Sequence, residues 1–522
     1  MRMKLLLEQM LMMKSFGTPS ETFFKLSEFG TKNKEFIKIC LRFSLENYLS
    51  FMRNLLTPLL LLGNCAYADF FTNVSDRIEV NSPRLSYGIA VVDVDNDGKF
   101  EFVVTGFKYP NLALKYKDDL LRQVVMPDVF SDTERSTIGV AACDYDKDGY
   151  EEVYFLNTDS YSGKTEYSDR LLSLNPLVED LFELEKNSAD LNYTAGRSVV
   201  CVDRTGDGSY GFYVANYGGP TRFYEDKSGI VTDIAPQIDL DKVTGGRAVV
   251  SGHILNKHPD IFASNERGPN FLYSNVEGVF SDRAIEFNIA DTLQNGRGAA
   301  LADVNYDGKL DILSGNWNGF HRVFVNQGSS FSDVAPSYFR KPSKIRTVIS
   351  ADFDNDGFDE VFLNNIGQPN KLFKVLNENQ IEEIDLHTAL ETSGLGTGAA
   401  VADIDNDGVL ELLISHGESA PEPLTLYKAK TKAHSRYLRV EPKNLYGAPA
   451  RGATVILNTN LRKHAKTIDA GSGYLCQMEP VAHFGLRKNE IVKNITIRWT
   501  NGEEDILNIP TLNKHYTFFQ GK

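Results

Sequence analysis

Short apolar runs separated by turn-forming residues make up most of the chain after residue 69. The runs are rich in Val, Ile, Phe and Tyr and are bounded by Gly, Asn, Pro and Asp, as in EVYFL, DILSG, HRVFVNQ and SFSDVAPS. Their length and composition predict β-strands rather than helices. A run of small residues such as GRGAAL or GTGAAV comes before each set of three apolar runs, so the pattern predicts repeating units of four strands.

An acidic loop recurs between the first and second predicted strands of each unit. In five copies, oxygen-bearing side chains occupy loop positions 1, 3, 5 and 9, and Gly occupies position 6. The five sets are Asp93, Asp95, Asp97 and Glu101; Asp144, Asp146, Asp148 and Glu152; Asp303, Asn305, Asp307 and Asp311; Asp352, Asp354, Asp356 and Glu360; and Asp403, Asp405, Asp407 and Glu411. Two further copies are degenerate, with Gly211 at position 9 of one and His253 at position 1 of the other. We expect these two copies to bind no metal.

The acidic loops also set the number of units. Their first positions are residues 93, 144, 203, 253, 303, 352 and 403, a period of about 50 residues. Seven four-stranded units at a fixed period are typical of a β-propeller. The last unit lacks a fourth strand, and the segment FFTNVS (Phe70–Ser75) resembles the missing phrase. We therefore expect an all-β protein in which this N-terminal strand closes a seven-bladed ring.

The full acidic loops are interpreted as calcium sites. Carboxylates held together repel one another, and a divalent cation with six to eight oxygen ligands removes that conflict. Gly at position 6 permits a sharp bend, and the backbone carbonyl at position 7 is the expected fifth ligand. Those carbonyls belong to Lys99, Tyr150, Lys309, Phe358 and Val409. An EF-hand is excluded, because position 12 holds no Glu and already lies in a predicted strand. Plain hairpin turns with solvated charges are the alternative. We expect about five Ca²⁺ ions.

Two sets of motifs in the chain resemble those of a known family. The motif D-x-D-x-D-G-x-x-[DE] within a β-rich repeat resembles the FG-GAP/VCBS repeat of integrin-α-type propellers. Further on, RYLRV, GATV, GSGYL, HFGL and IRWTNG resemble the ASPIC/UnbV domain. This combination is similar to the cartilage acidic protein 1 family, and it implies calcium binding outside the cell. Cys476 stands where that family usually has Ser, and an EGF-like module at the end of animal members is absent, which favours a bacterial or short-form member.

The domain organisation follows from these matches. Residues 69–432 are expected to form the propeller, and residues 434–520 a small β-sandwich domain with Trp499 in its core. MRNLLTPLLLLGNCAYADFF predicts a secretory signal peptide at 52–68 that is cleaved after Ala68. Residues 1–51 are then an extension that is either disordered or due to a wrongly assigned start, with Met52 as the true first residue. An uncleaved amphipathic leader and a lipoprotein signal at Cys65 are the alternatives.

Composition limits the classes of partner. A net charge of −15 and a pI near 5.2 argue against nucleic acid, and no stretch is apolar for long enough to span a membrane. The mature chain holds Cys143, Cys201 and Cys476. The first two precede metal loops of adjacent units, and we expect them to be buried small apolar residues rather than a disulfide.

Two positional series are candidates for ligand binding. One is a set of arginines six residues before the first loop position, which either form a basic arc that binds an anion such as a uronate or pair with nearby acids: Arg197, Arg247, Arg297 and Arg346. The other series recurs after the acidic loops: Asn157, Asn216, Asn265, Asn316, Asn365 and His416, with Tyr217 and Trp317 following two of them. Its members either form a ring of amides that holds a sugar or mark the turns at the strand ends. An insertion in the second unit, Ser160–Asp169, is a further candidate surface.

The function expected from the sequence is an exported, calcium-stabilised binding or adhesion module for an extracellular protein or glycan. A calcium-dependent glycan-active enzyme of the polysaccharide lyase type is the alternative. No His-Glu-x-x-His, Gly-x-Ser-x-Gly or phosphate-loop motif is present, so non-enzymatic binding is favoured.

Overall fold

The computed structural model describes residues 69–184, 191–432, 434–508 and 511–521. The predicted extension at 1–51 and the signal peptide at 52–68 lie outside the described residues. Within the described ranges the helical elements are short: α1 (Asp128–Ser131) and three turns of 3-10 helix at Ser75–Arg77, Ala235–Ile238 and His387–Leu390.

The remaining regular elements of the described ranges are 35 strands, β1 to β35 in chain order. The first is β1 (Phe71–Asn73). Blade 1 holds β2 (Ser86–Val92), β3 (Glu101–Gly106), β4 (Leu112–Lys117) and β5 (Leu120–Gln123). Blade 2 holds β6 (Thr137–Cys143), β7 (Glu152–Asn157), β8 (Arg170–Ser173) and β9 (Glu179–Asp180). Blade 3 holds β10 (Gly196–Val202), β11 (Gly211–Pro220), β12 (Arg222–Asp226) and β13 (Val231–Asp233). Blade 4 holds β14 (Val243–Gly252), β15 (Asp260–Asn265), β16 (Phe271–Val276) and β17 (Val279–Asp282).

The other three blades follow the same plan. Blade 5 holds β18 (Gly296–Ala302), β19 (Asp311–Asn316), β20 (Arg322–Asn326) and β21 (Phe331–Asp333). Blade 6 holds β22 (Ile345–Ala351), β23 (Glu360–Asn365), β24 (Lys371–Asn377) and β25 (Gln380–Ile384). Blade 7 holds β26 (Gly396–Ala402), β27 (Glu411–His416) and β28 (Thr425–Ala429), and its fourth strand is β1.

The blades form a closed seven-membered ring, as predicted. Each innermost strand packs against the innermost strand of the next blade, and β26 of the last blade packs against β2 of the first. The N-terminal strand β1 pairs antiparallel with β28, with Phe71 opposite Ala429, so it covers the edge that blade 7 would otherwise expose. Blades 3 and 4 are joined further, because β11 extends outward and pairs with β14.

The small-residue runs explain the centre of the ring. Strands such as β18 (GRGAALA) and β26 (GTGAAVA) face the axis, where seven strands converge and leave little room for side chains. Larger side chains pack between blades instead. The Phe71 ring, for example, meets the Phe353 ring edge-on at 5.2 Å and so links the closing strand to blade 6.

The C-terminal domain is a β-sandwich, as predicted. One sheet holds β29 (Arg436–Lys443), β32 (Ala482–Leu486) and β35 (His515–Phe519). The other holds β30 (Thr454–Thr459), β31 (Lys463–Thr467), β33 (Val492–Arg498) and β34 (Glu504–Leu507). Trp499 is buried in the core between them, and its indole Nε1 donates a hydrogen bond to Asp505 at 2.7 Å.

A segment of the C-terminal domain, residues 469–479, enters the propeller channel, and we call it the plug. Its backbone forms hydrogen bonds with the innermost strands of several blades. Ala299 N–H donates to Gly473 O at 2.7 Å, and Gln477 N–H donates to Ile89 O at 2.9 Å. The plug therefore fixes the two domains against each other, and its Gly-Ser-Gly sequence allows the close approach that backbone pairing in the channel requires.

Candidate metal centres

Each full acidic loop is a tight turn whose first carboxylate accepts backbone N–H groups. The Gly at position 6 has a positive φ in all five loops, for example +85° at Gly98 and +87° at Gly357. A bulkier residue would be strained there. In the first loop, Asp93 accepts from Asp97 N–H at 3.1 Å and from Gly98 N–H at 2.8 Å. This turn directs the alternate side chains toward one centre.

Four of the five full loops bring three carboxylates together with oxygen atoms within 4.8 Å of one another. The groups are Asp93, Asp95 and Glu101; Asp144, Asp146 and Glu152; Asp352, Asp354 and Asp356; and Asp403, Asp405 and Glu411. The loop at 303–311 does not form such a group among the described residues. Its position-9 residue is Asp311, one methylene shorter than Glu, and backbone N–H groups of Val304 and Asn326 occupy both of its oxygens, at 2.8 and 2.7 Å.

The loop at 144–152 has carboxylate oxygens with no protein donor. Glu152 uses one oxygen to accept Tyr145 N–H at 2.7 Å. The other Glu152 oxygen, Oε1, and Asp144 Oδ1 are buried and have no hydrogen-bond partner among the described residues. Among the described residues, no Lys, Arg or His forms an ion pair with Asp144, Asp146, Asp148 or Glu152, the carboxylates at positions 1, 3, 5 and 9. Burial raises the pKa of Asp144 to about 7 and raises that of Glu152 well above its usual range. A cation at this position would satisfy both orphaned oxygens.

Lysines occupy three of the other loops. Lys115 Nζ lies 2.6 Å from Asp95 and 3.2 Å from Glu101. Lys374 Nζ lies 2.6 Å from Asp356 and 2.9 Å from Glu360. The equivalent contacts in the loop at 403–411 join Lys428 to Asp405, Asp407 and Glu411 at 2.7, 2.8 and 2.5 Å.

The strand register explains these lysines, which the sequence reasoning missed. The third strand of each blade places one residue directly opposite position 9, as Lys374 lies opposite Glu360 and Lys428 opposite Glu411. The same position holds Ser173 in blade 2, where Val153 pairs with Leu172, and Val325 in blade 5, where Ile312 pairs with Phe324. The five loops therefore fall into three that have a third-strand lysine opposite position 9 and two that do not. Alignment of the third strands of the repeats would have revealed the difference.

Burial shifts the pKa of the position-9 glutamates more than the neighbouring charges do. It raises the pKa of Glu101 and that of Glu411 to about 8, although Lys115 and Lys428 act in the opposite direction. Ionising such a buried carboxylate without a partner is energetically costly, so a bound cation would stabilise its ionised form. The carbonyls at position 7 remain predicted ligands.

The two degenerate loops use their carboxylates for structure. Asp203 accepts from Gly208 N–H at 3.0 Å and from Thr500 Oγ1 at 2.5 Å. Asp260 accepts from Leu255 N–H at 2.6 Å and Asn275 N–H at 2.8 Å. These bonds give both aspartates a role that needs no metal.

The C-terminal domain lies on the acidic loops, which are called the metal loops below because they are the candidate metal sites. Ala465 N–H donates to Asp303 at 2.8 Å, and the Arg439 guanidinium forms an ion pair with Asp403. Asn444 Nδ2 lies 3.4 Å from Asp144. The first loop position is therefore both a candidate metal ligand and a domain contact, which sequence reasoning did not foresee.

The expectation that Cys143 and Cys201 are separate thiols is wrong. They form a disulfide with Cα atoms 6.2 Å apart. Cys143 ends β6 and Cys201 lies near the end of β10, and these innermost strands of adjacent blades converge toward the axis. Their 58-residue separation is close to one repeat, so the two cysteines lie on neighbouring innermost strands. Cys476 is a buried free thiol.

The asparagine series marks strand-end turns, the second of its two alternatives. Asn265 Nδ2 donates to Pro269 O at 2.9 Å, Asn316 to Phe320 O at 2.7 Å and Asn365 to Pro369 O at 2.7 Å. Each amide closes the turn that follows its strand and is therefore not free to form a sugar-binding ring.

Comparisons with known proteins agree with this architecture. A family model described as ASPIC and UnbV matches residues 444–522, and one described as FG-GAP-like repeat matches 255–314, 303–363 and 352–414. The fold and the acidic loops thus define an FG-GAP propeller with a C-terminal ASPIC/UnbV domain. Cartilage acidic protein 1 of Xenopus tropicalis is 45% identical over 478 residues, covering 83% of this chain and 74% of the relative. The Homo sapiens protein is 44% identical, covering 83% and 72%. The chain belongs to the cartilage acidic protein 1 family.

Solved structures align with lower similarity. A crystal structure of BBS1N in complex with ARL6DN, soaked with lead, has a TM-score of 0.43 and 10% identity and covers 70% of this chain and 98% of that chain. YCF48 bound to D1 peptide has a TM-score of 0.41 and 8% identity, covering 69% and 96%. Among the described residues, no helix combines the length and apolar character needed to cross a bilayer.

Proposed function

We propose that this protein is an exported binding module whose propeller is stabilised by Ca²⁺ in its acidic loops. The observation that carries the proposal is the loop at 144–152, where buried Asp144 and Glu152 each keep an oxygen without a protein partner. Buried carboxylates without partners are costly, and hard oxygen ligands at this spacing suit Ca²⁺. Bound Ca²⁺ would supply the positive charge that lets the loop carboxylates ionise together.

Export is supported by two independent features. The Cys143–Cys201 disulfide is typical of proteins from oxidising compartments. The relatives carry cartilage in their name, which supports an extracellular location. Extracellular calcium modules bind Ca²⁺ at about 10⁻⁴–10⁻³ M, so loops of this kind fill outside a cell and empty inside it. The partner class we propose is an extracellular protein or glycan.

The loops are expected to differ in affinity. Ca²⁺ entering the loops at 93–101, 352–360 and 403–411 has to displace Lys115, Lys374 or Lys428, whereas the loop at 144–152 offers no such competitor among the described residues. We therefore expect the tightest site at 144–152. The loop at 303–311 is expected to be weaker, because both Asp311 oxygens are already bonded to the backbone.

A calcium titration of chelator-treated protein tests the proposal, with heat and melting temperature followed together. A site filled at 100 times its Kd stabilises the folded state by about 2.7 kcal/mol, so the melting temperature should rise as Ca²⁺ is added. Asp146→Asn should weaken the first binding event at least tenfold. Asp118→Asn removes a carboxylate from an exposed turn and is the matched control. Absence of both heat and a melting shift in the parent protein would contradict the calcium assignment.

A further inference from the structure

The four arginines of the sequence series converge on one cavity at the end of the ring opposite the metal loops. Each lies six residues before a loop, and a strand rises about 3.3 Å per residue, so roughly 20 Å separates the two ends. The cavity holds about 430 Å³, within the range of about 300–1,000 Å³ typical of small-molecule sites. Its basic residues are Arg197, Arg247, Arg297 and Arg346.

Protein carboxylates do not balance these arginines. Arg247 and Arg297 share Glu266, with 3.3 Å between Arg297 Nη2 and the Glu266 carboxylate. Arg346 pairs with Glu418, a partly exposed residue. Among the described residues Arg197 forms no ion pair. It donates to Gly196 O at 2.6 Å and to the neutral oxygens of Thr158 and Tyr161.

Another carboxylate at the cavity, Asp159, is already committed to the chain around it. It accepts the backbone N–H groups of Glu166 and Tyr167 at 3.0 and 2.9 Å. The Nε atoms of Arg297 and Arg346 are buried and have no hydrogen-bond partner in the part of the chain that the structure describes. The cavity therefore has more buried guanidinium groups than carboxylates to pair with them, and such an excess is costly without an added anion.

Aromatic rings hold the guanidinium groups apart. Tyr217 lies between Arg197 and Arg247, whose Cζ atoms are 5.4 and 4.4 Å from its ring centre. Trp317 lies between Arg297 and Arg346, each at 4.8 Å. These cation–π contacts fix the guanidinium groups in place before any ligand arrives.

The plug contributes Tyr474 to the lining of the cavity. Burial alone would raise the pKa of its phenol, but the four arginines outweigh burial and lower the pKa to about 8. The insertion of the second repeat adds Ser160 and Tyr161 to the lining. Four blades therefore supply the arginines, and the other blades, the insertion and the C-terminal domain complete the lining.

We propose that this cavity binds the carboxylate or sulfate group of an acidic saccharide. The guanidinium groups suit a planar or tetrahedral oxyanion, and Glu266, Glu418 and Ser160 offer acceptors that a polyhydroxylated ligand can use and a bare inorganic anion cannot. The cavity volume lies in the range of small-molecule sites, which suits a short saccharide. The inference rests on the proposed binding function and specifies its ligand.

Calorimetry on the calcium-saturated, full-length protein tests this inference. The probes are a glucuronate-containing disaccharide, a sulfated disaccharide, the neutral disaccharide maltose and inorganic sulfate. We expect at least one acidic disaccharide to bind at least tenfold more tightly than maltose and than sulfate. The two acidic probes distinguish a carboxylate ligand from a sulfate ligand. Arg297→Gln should weaken that binding at least tenfold, whereas Arg283→Gln, which removes the same charge at an exposed pair with Glu286, should not change it.

A second measurement keeps the test valid if Arg297→Gln fails to fold. An anion bound beside Tyr474 raises the pKa of its phenol, so the phenolate absorbance of the parent protein at pH about 8 should fall as the disaccharide is added. Tyr474→Phe should abolish that signal and still bind. If neither acidic disaccharide binds, or if Arg297→Gln and Arg283→Gln weaken binding equally, the inference is wrong. A protein that keeps its calcium-dependent melting shift but binds no saccharide overturns this inference alone and leaves the calcium proposal standing.

Discussion

The two ends of the propeller treat charge in opposite ways, although the same strands build both. At the metal-loop end, acidic loops are covered by the C-terminal domain, and their carboxylates are met by lysines, by Arg439 and by backbone N–H groups. At the arginine end, an open cavity holds four guanidinium groups and too few carboxylates to pair with them. The acidic end is stabilised largely from within the chain, whereas the basic end has a charge excess that favours an external anion.

The comparison shows that the two ends of a repeat can differ in sequence independently of each other. The innermost strands of blades 3 to 6 carry an arginine at one end, while the equivalent positions in blades 1, 2 and 7 hold Tyr87, Ile138 and Thr397. The arginines are therefore confined to one side of the ring, although residues of blades 1, 2 and 7 also line the cavity. The acidic loops, in contrast, occur on both sides.

The largest expected effect comes from separating the two domains at the metal-loop end. Arg451 is fully buried and donates to Glu151 at 2.7 Å, and it also donates to Met478 O of the plug at 2.8 Å. Removing one partner of a buried ion pair leaves the other charge without compensation. Arg451→Met should lower the free energy of unfolding by about 3–5 kcal/mol. Chemical denaturation measures this loss.

An exposed pair in the same domain is the control for that loss. Arg498 and Glu504 are 2.6 Å apart with side chains 33% and 42% exposed. Arg498→Met should cost less than about 1 kcal/mol, because solvent screens such pairs. Equal effects of the two variants would mean that the domain contact does not stabilise the metal-loop end.

The next effect is a pH dependence at the arginine end. His321 is buried, accepts Asn316 N–H at 3.0 Å and lies 3.0 Å from Ser343 Oγ. Burial, with a smaller effect of Lys371, lowers the pKa of His321 to about 4. The unfolded chain therefore binds this proton first as the pH falls, so stability is fully present above pH about 6.5 and is lost between about 6.5 and 4. The shift corresponds to about 3 kcal/mol.

The chain itself supplies the matched variant. Asn270 and Asn370 occupy the same turn position in blades 4 and 6, and their Oδ1 atoms accept the equivalent N–H groups at 3.0 and 2.8 Å. His321→Asn should keep stability near pH 7 within about 1 kcal/mol and flatten its decline toward pH 4. Parallel pH–stability curves for the two proteins would show that His321 is not the responsible group.

Much of this architecture was predictable from the sequence because it repeats. The spacing of the acidic loops gave the number of blades, and FFTNVS gave the strand that closes the ring, since each depends on local patterns seen several times. The disulfide, the plug and the domain contacts were not predictable in the same way. Each joins residues far apart in the chain, such as Arg451 and Glu151, and no repeated local signal marks them.

Some parts of the candidate sites could be predicted from the sequence and others could not. The candidate ligands at positions 1, 3, 5 and 9 follow from one loop, and four of the five loops bring three carboxylates together. The lysines do not follow from the loop, because they come from the third strand and depend on register. The arginine series was visible as a spacing, but its convergence on Tyr474 depends on the plug, which only the structure reveals.

The smallest expected effect tests how the metal-loop end is neutralised. Lys374→Met removes the ammonium group that lies 2.6 Å from Asp356 and 2.9 Å from Glu360. Without Ca²⁺ the carboxylates then repel one another, so the melting temperature should fall. With Ca²⁺ the competitor is gone, and the affinity of this loop should rise about tenfold, or about 1.4 kcal/mol. Calcium calorimetry combined with melting curves measures both changes.

The reverse exchange in blade 2 completes the test. Ser173 holds the position equivalent to Lys374, so Ser173→Lys should place an ammonium group beside Glu152 and weaken calcium binding to the loop at 144–152 by about tenfold. The same variant should raise the melting temperature of the calcium-free protein, because the lysine offsets the buried charge of that loop. If neither exchange alters calcium affinity, the lysines do not compete for the metal position, and the two kinds of loop do not differ in the way proposed.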